Sequence, residues 1–183
     1  KGDPQFDPFQ TGHVIIPFSR SAIEEGTGTS SDNPRAQRNL ITAWLDGSGV
    51  YGSDEERAKW LRSGECGKLK VYKSDYSDLL PCNTRDGDCN GTPDENAPAM
   101  AMNRDHSGKL LTVFVAGDVR ANEQPGLTAL HTLFVREHNR ICDELTKKGS
   151  CSDEINYQYA RKVVGGLIQS ILYNELIPKL GLK

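Results

Sequence analysis

The stretch FVAGDVRANEQPGLTALHTLFVREHN, residues 114–139, places charged groups at a boundary between two apolar segments. An apolar run stops at Gly117-Asp118, and Arg120 and Glu123 follow three residues apart. Pro125 then opens a long apolar-striped segment carrying His131 and His138. As bare spacing, Arg-x-x-Glu is most often an exposed salt bridge or an acid at a helix N-terminus. The context predicts more. Both residues lie directly after a run of buried type and before a helix of buried type, so their side chains are expected to point inward. A buried guanidinium needs an anion or a polarised oxygen. The loop therefore reads as a ligand site.

A second set of groups lies in TAWLDGS, where Thr42, Asp46 and Ser48, with the Trp44 carbonyl, offer several oxygens along one loop. Hard cations take such sets when a carboxylate is among them. On spacing alone a helix C-cap followed by a glycine turn is the simpler reading. The segment Asp86–Asp94, DGDCNGTPD, has acids or amides at positions one, three, five and nine of an EF-hand-like loop, but its twelfth position is Ala97 and no helix precedes it. A solvated polar loop is the expected state there. His131 and His138 are seven apart, which puts them on one helix face without the i, i+4 spacing that converges on a metal. They are expected to be hydrogen-bonded histidines at the edge of the core. Five cysteines are present, and none forms a C-x-x-C or His-spaced zinc pattern. Cys82 and Cys89 flank a polar loop, and Cys142 and Cys151 bracket DELTKKGS, so both pairs are expected to be disulfides stapling turns in an oxidising compartment. Cys66 is left over, for a partner outside this chain. Asn90-Gly91-Thr92 is a glycosylation sequon.

These groups require a framework to hold them. Apolar positions in PRAQRNLITAWL predict a helix from Pro34 to Leu45. Ser53 and Glu56 form a capping box that starts DEERAKWLRSG, with Gly64 as its end. Residues 66–109 read as a long surface excursion tied by cysteines. LLTVFVAG is short enough for a strand or an extended buried segment. Two long helices follow. One runs from about Pro125 to Lys147, with Leu127, Leu130, Phe134, Ile141 and Leu145 on its stripe and proline at its first position. The other runs from about Asp153 to Ile177, buried along Val163, Leu167 and Ile171 against the first and ended by Pro178. The fold class is mainly α with long irregular loops and very little β. At 183 residues the chain fits one domain or a piece of one, and its net charge of −3 without a basic block argues against nucleic acid or an anionic lipid surface. Its apolar runs are too short for a membrane span. The N-terminus KGDPQFDPFQ is not a signal peptide, although a removed one remains compatible.

The blocks VIIPFSRS, NLITAWLDGSGVYGS, FVAGDVRANEQPGLTALHTLFVREHNRI and YARKVVGGLIQSILYNELIP, in this order, closely resemble the animal haem peroxidases. The resemblance implies a segment of a secreted enzyme that uses hydrogen peroxide to oxidise small reductants. It gives Arg120 the place of the arginine that polarises the O–O bond beside haem b, and Glu123 that of the glutamate esterified to a haem methyl. Gln124 stands where one member of the family has a methionine bonded to a haem vinyl. Glutamine cannot make that link, which turns the expected donors from chloride toward bromide, iodide, thiocyanate or phenols. Thr42, Trp44, Asp46 and Ser48 fall at calcium-ligand positions, and the family's remaining calcium ligand, an aspartate, falls upstream of Lys1. The family's distal histidine also falls upstream of Lys1, and its proximal iron ligand downstream of Lys183. Residues 1–183 are thus expected to be a single partial domain, inactive alone and completed by other segments of the same peroxidase or by a processed partner chain. The alternative is a non-catalytic peroxidase-like scaffold in adhesion or matrix assembly.

Overall fold

A computed structural model describes residues 7–15, 21–105 and 107–181. Part of the VIIPFSRS block, residues 16–20, lies outside them. The chain divides into two compact units, Lys1–Leu40 and Ile41–Lys183. The described part of the first is irregular. Asp7 accepts hydrogen bonds from the backbone N–H groups of Thr11 and Gly12, and isolated bridges pair Ile23 with Gln37 and Ser30 with Asn33.

The second unit carries the regular structure: α1 (Ser48–Tyr51), α2 (Glu55–Leu61), β1 (Tyr72–Lys73), β2 (Asp78–Leu79), α3 (Pro125–Lys147), α4 (Asp153–Ile171), a π-helical turn (Leu172–Leu176) and α5 (Ile177–Lys179). The strands pair antiparallel, Tyr72 opposite Leu79 and Lys73 opposite Asp78. The fold is mainly α, with irregular loops between α2 and α3.

No helix spans residues 34–45. Leu40 and Trp44 are 80% and 81% exposed. A short helix is marginal unless it buries its apolar face, and two of the four apolar side chains of this stripe stay largely in solvent. The α2 cap also differs from expectation. Asp54, not Ser53, is the N-cap, because its carboxylate reaches the Arg57 N–H at 2.7 Å. The helix ends at Leu61, where Arg62 turns extended, short of Gly64.

α3 has the predicted bounds, with Pro125 in its first turn and the Gln124 side chain accepting from the Gly126 N–H at 2.7 Å. Its buried face keeps Ile141 of the predicted stripe, with Phe134 and Leu145 partly buried against the core, but extends beyond it. Thr132, Val135, His138, Asn139, Ile141 and Cys142 are buried, whereas Leu130 and Leu133 are each 56% exposed. Polar groups turn this face inward: the Asn139 amide accepts from Leu69 N–H and donates to Leu69 C=O, at 2.8 and 3.0 Å. α4 packs on α3 as expected, and its buried residues are Asn156, Tyr157, Ala160, Val164 and Gly165. The Val163, Leu167, Ile171 stripe is corrected at Leu167 and Ile171, which are 38% and 42% exposed, while Val163 is partly buried against the core. Asn156, donating to the carbonyls of Cys66 and Ser150, anchors the first turn of α4 in this rotation.

Pro178 does not end the second helical segment, which continues through α5. Ahead of the proline the helix widens, with the Ile177 N–H donating to Leu172 C=O five residues back. Proline has no N–H and its ring crowds the carbonyl four residues before it, and the π turn relieves that clash.

Cys82–Cys89 is a disulfide, as expected, but Cys142–Cys151 is not. Cys151 pairs with Cys66, and Cys142 is a free buried thiol. Cys142 occupies the inward face of α3, 3.6 Å from His138 Nε2, while Cys151 lies in the exposed turn that meets the loop after α2. The core joins Val50, Tyr51, Leu61, Leu69, Leu80 and Val115 to the inner faces of α3 and α4.

Candidate functional site

The LLTVFVAG run is extended and pinned rather than a regular strand. Val115 N–H donates to Pro81 C=O at 2.7 Å, and Phe114 bridges to Cys82. At its end Gly117 lies so close to α1 that a Cβ there would meet the Ser48 carbonyl at 2.1 Å, so this position requires glycine. The chain then turns twice, Ala121 N–H to Asp118 C=O and Glu123 N–H to Arg120 C=O, before entering α3. Asn122 ties this loop back to the run, accepting from Phe114 N–H and donating to Phe114 C=O at 3.1 and 2.7 Å.

The expectation that Arg120 and Glu123 point into the core is corrected. Both are exposed, because the tight packing of Gly117 and the turns that follow direct the loop outward. The Arg120 guanidinium lies against Asp118, Nε to Oδ1 at 2.9 Å and Nη2 to Oδ2 at 2.7 Å. That hydrogen-bonded pair draws the Asp118 carboxyl down to about 2 and raises Arg120 above its ordinary value. Glu123 and Gln124 instead line a groove of about 860 Å³ along α3, walled by Leu79, Phe114, Leu130 and Leu133. Arg136 closes one side, held by Asp78 C=O and Ser77 Oγ at 2.6 and 2.8 Å. The groove is an apolar wall with a carboxylate and an amide at the helix N-terminus. That fits a flat apolar cofactor anchored through one carboxylate. Sequence reasoning missed Asp118, Asn122 and Arg136, although Asp118 stands two residues before Arg120.

In the other loop, Thr42 Oγ1 accepts from Trp44 N–H at 3.0 Å and Asp46 Oδ1 from Ser48 N–H at 3.1 Å. Gln169 of α4 donates to Leu45 C=O at 2.7 Å, which fixes the loop to that helix. Two hydroxyls, a carboxylate and a carbonyl are the donor types that a hard cation takes. Among the described residues no group of three or more His, Cys, Asp or Glu side chains is placed to hold a metal ion. The Asp86–Asp94 loop behaves as a polar turn: Asp86 accepts from Asp88 N–H and Asp88 from Asn90 N–H.

His131 sits at the core edge with Nδ1 2.7 Å from Leu127 C=O. His138 lies deeper than expected, fully buried. Its Nε2 is 2.8 Å from Gly67 C=O and its Nδ1 is 2.9 Å from the Tyr51 hydroxyl. A carbonyl only accepts, so Nε2 carries the hydrogen and Nδ1 accepts from the phenol. Burial lowers His138 to about 4, so the ring is neutral near pH 7.

A mainly helical fold with this loop leading into α3 is shared with known peroxidases, and the chain belongs to the animal haem peroxidase family, whose sequence profile it matches over residues 1–181. Thyroid peroxidase of Canis lupus familiaris is 39% identical over 96% of this chain. The peroxidasin homolog pxn-2 of Caenorhabditis elegans is 37% identical over 92% of it. Among solved structures, peroxidase A from Dictyostelium discoideum superposes with a TM-score of 0.71 at 29% identity, covering 94% of this chain. The chain spans 19%, 13% and 33% of those three proteins respectively. Membership implies haem as the cofactor of the family.

Proposed function

We propose that this chain supplies one wall of the haem pocket of a secreted peroxidase that uses hydrogen peroxide to oxidise small donors such as bromide, iodide, thiocyanate or phenols. The observation that carries this reading is the Glu123 carboxylate at the start of α3, opening on an apolar groove with Arg120 three residues before it. Haem b, when bound, supplies the iron at which peroxide is cleaved. Glu123 would tether the ring through an ester, while Leu79, Phe114, Leu130 and Leu133 exclude water from its face. Arg120 would stabilise the negative charge that builds on the departing oxygen, with Asp118 holding the guanidinium plane. The two catalytic histidines belong to other segments of the same peroxidase or to a partner chain.

In the complete protein, Glu123→Gln should leave haem bound but raise the fraction that acidified solvent extracts. Arg120→Ala should keep the Soret absorbance and slow the reaction with hydrogen peroxide about a hundredfold or more. Unchanged haem extraction in the first variant would remove Glu123 from its role.

Thr42, the Trp44 carbonyl, Asp46 and Ser48 would hold a structural calcium ion that fixes the loop ahead of α1. Asp46→Asn should abolish the rise in Tm on adding calcium, because it removes the carboxylate of this set. A calcium-dependent Tm identical to that of the parent would exclude the loop. Two disulfides and the exposed Asn90 of the sequon support secretion. No described helix is long and apolar enough to cross a membrane.

A further inference from the structure

Behind the groove, on the inner face of α3, three rings pack together: Tyr51, His138 and Tyr157. The Tyr51 and His138 ring centres are 5.4 Å apart, and Tyr157 lies edge-on to Tyr51 at 5.9 Å and tilted to His138 at 5.5 Å. Tyr51 and His138 are fully buried, and Tyr157 is 97% buried by its 3% relative exposure. The two phenols are not equivalent. Tyr51 Oη donates to His138 Nδ1 at 2.9 Å, whereas no described residue hydrogen-bonds the Tyr157 hydroxyl.

We propose that Tyr51 and His138 form a proton-coupled redox pair, in which Tyr51 gives up one electron to a one-electron oxidant while its phenolic proton passes to His138 Nδ1. The oxidant is of the class that peroxide chemistry generates, a strongly oxidising metal centre or radical. In the step the Tyr51 O–H bond breaks and an Nδ1–H bond forms. The electron leaves to the oxidant, and the products are a neutral phenoxyl radical and an imidazolium. A one-electron donor reverses the step, returning the electron to the ring and the proton to the oxygen.

Three features of the geometry select Tyr51. A phenol that loses an electron must lose its proton, and a proton moves readily only along a formed hydrogen bond to a base. Tyr51 has such a base, and among the described residues Tyr157 has none. His138 is held as the correct tautomer, because Gly67 C=O occupies Nε2–H and leaves Nδ1 as the acceptor. Finally, the guanidinium carbon of Arg161 lies 5.4 Å from the Tyr51 ring centre and that of Arg62 lies 4.2 Å from the Tyr157 centre. A nearby cation opposes a radical cation on either ring, so oxidation is easier at the ring whose proton can move off it to a base. Burial then protects the radical from solvent and from self-coupling.

The test uses the complete protein carrying a ruthenium photo-oxidant on a cysteine placed at Lys162, an exposed position on α4 beside Arg161. This oxidant is independent of haem, so the outcome does not depend on the proposed function. Flash oxidation should give a persistent phenoxyl electron-paramagnetic-resonance signal whose formation slows in D2O. Tyr51→Phe, which removes one oxygen without changing the ring, should abolish it. His138→Gln should reduce its yield at least tenfold, and Tyr157→Phe should leave it unchanged. A signal that survives Tyr51→Phe, or that Tyr157→Phe removes, overturns the assignment. Near-ultraviolet circular dichroism identical to the parent confirms that each variant is folded.

Discussion

His138 makes the stability of this fold sensitive to acid. In the folded protein it titrates at about 4, because burial disfavours the imidazolium, against 6.5 for the free side chain. Between those values the unfolded chain binds a proton that the folded chain refuses. The stabilisation from the neutral ring is therefore complete above pH 6.5 and is lost as pH falls toward 4, amounting to about 3 kcal/mol. Thermal melts of the protein from pH 7.5 to pH 4 should show this fall, and His138→Gln should flatten it. An equal acid-induced loss in that variant would place the titration elsewhere. Asp118 acts in a lower window: its carboxyl titrates at about 2, so it stays ionised beside Arg120 throughout the range of that experiment. The same residue scale separates legible from illegible features. Arg120 and Glu123 were recognisable by type and position, but their exposure was not, because Gly117 against the Ser48 carbonyl sets the loop direction.

At the level of elements, α3 and α4 pack through faces rotated from the most apolar stripes. Val164 is fully buried and Leu167 is 38% exposed. Val164→Ala should cost about 2 kcal/mol, from lost transfer energy and the cavity left behind. Leu167→Ala should cost less than about 1 kcal/mol, since much of its surface already meets water. Chemical denaturation of the two variants tests the rotation directly, and the reverse order of cost would restore the Val163, Leu167, Ile171 face. Helix bounds were legible because Pro125, the Gln124 cap and 3.6-residue periodicity act locally. The buried face was not, because hydrogen bonds from Asn139 to Leu69 and from Asn156 to Cys66 reach segments about seventy and ninety residues away.

Across the whole second unit, the Cys66–Cys151 disulfide joins segments 85 residues apart in sequence and ties the loop after α2 to the α3–α4 turn. Arg62 reinforces the same junction, pairing with Asp153 at 2.5 Å and Glu154 at 2.6 Å. Closing a loop of that length lowers the entropy of the unfolded chain and is worth about 4.6 kcal/mol in the chain-entropy description. Peptide mapping of the non-reduced protein should recover Cys66 linked to Cys151 and Cys82 linked to Cys89. Cys142 should be alkylated only after denaturation, because burial raises its thiol to about 11 and hides it. A Cys142–Cys151 peptide would contradict the fold at this junction.

The sequence by itself determined what depends on neighbours along the chain: the mainly α class, the bounds of α3, the Cys82–Cys89 staple, and the blocks that mark an animal haem peroxidase. It also singled out Glu123, through its spacing from Arg120 ahead of the helix, and Gln124, through the resemblance to that family. Tertiary structure decided the rest, since those outcomes depend on which distant segments meet. Residues 34–45 carry a helical pattern, but Leu40 and Trp44 stay exposed and the segment is not helical. Pro178, read locally as a stop, is accommodated by a π turn. Cys66 and Cys151 are paired by a junction that no sequence spacing records, which leaves Cys142 free beside His138. The Tyr51–His138 hydrogen bond arises the same way, from α1 packing on the inner face of α3 across 87 residues of sequence.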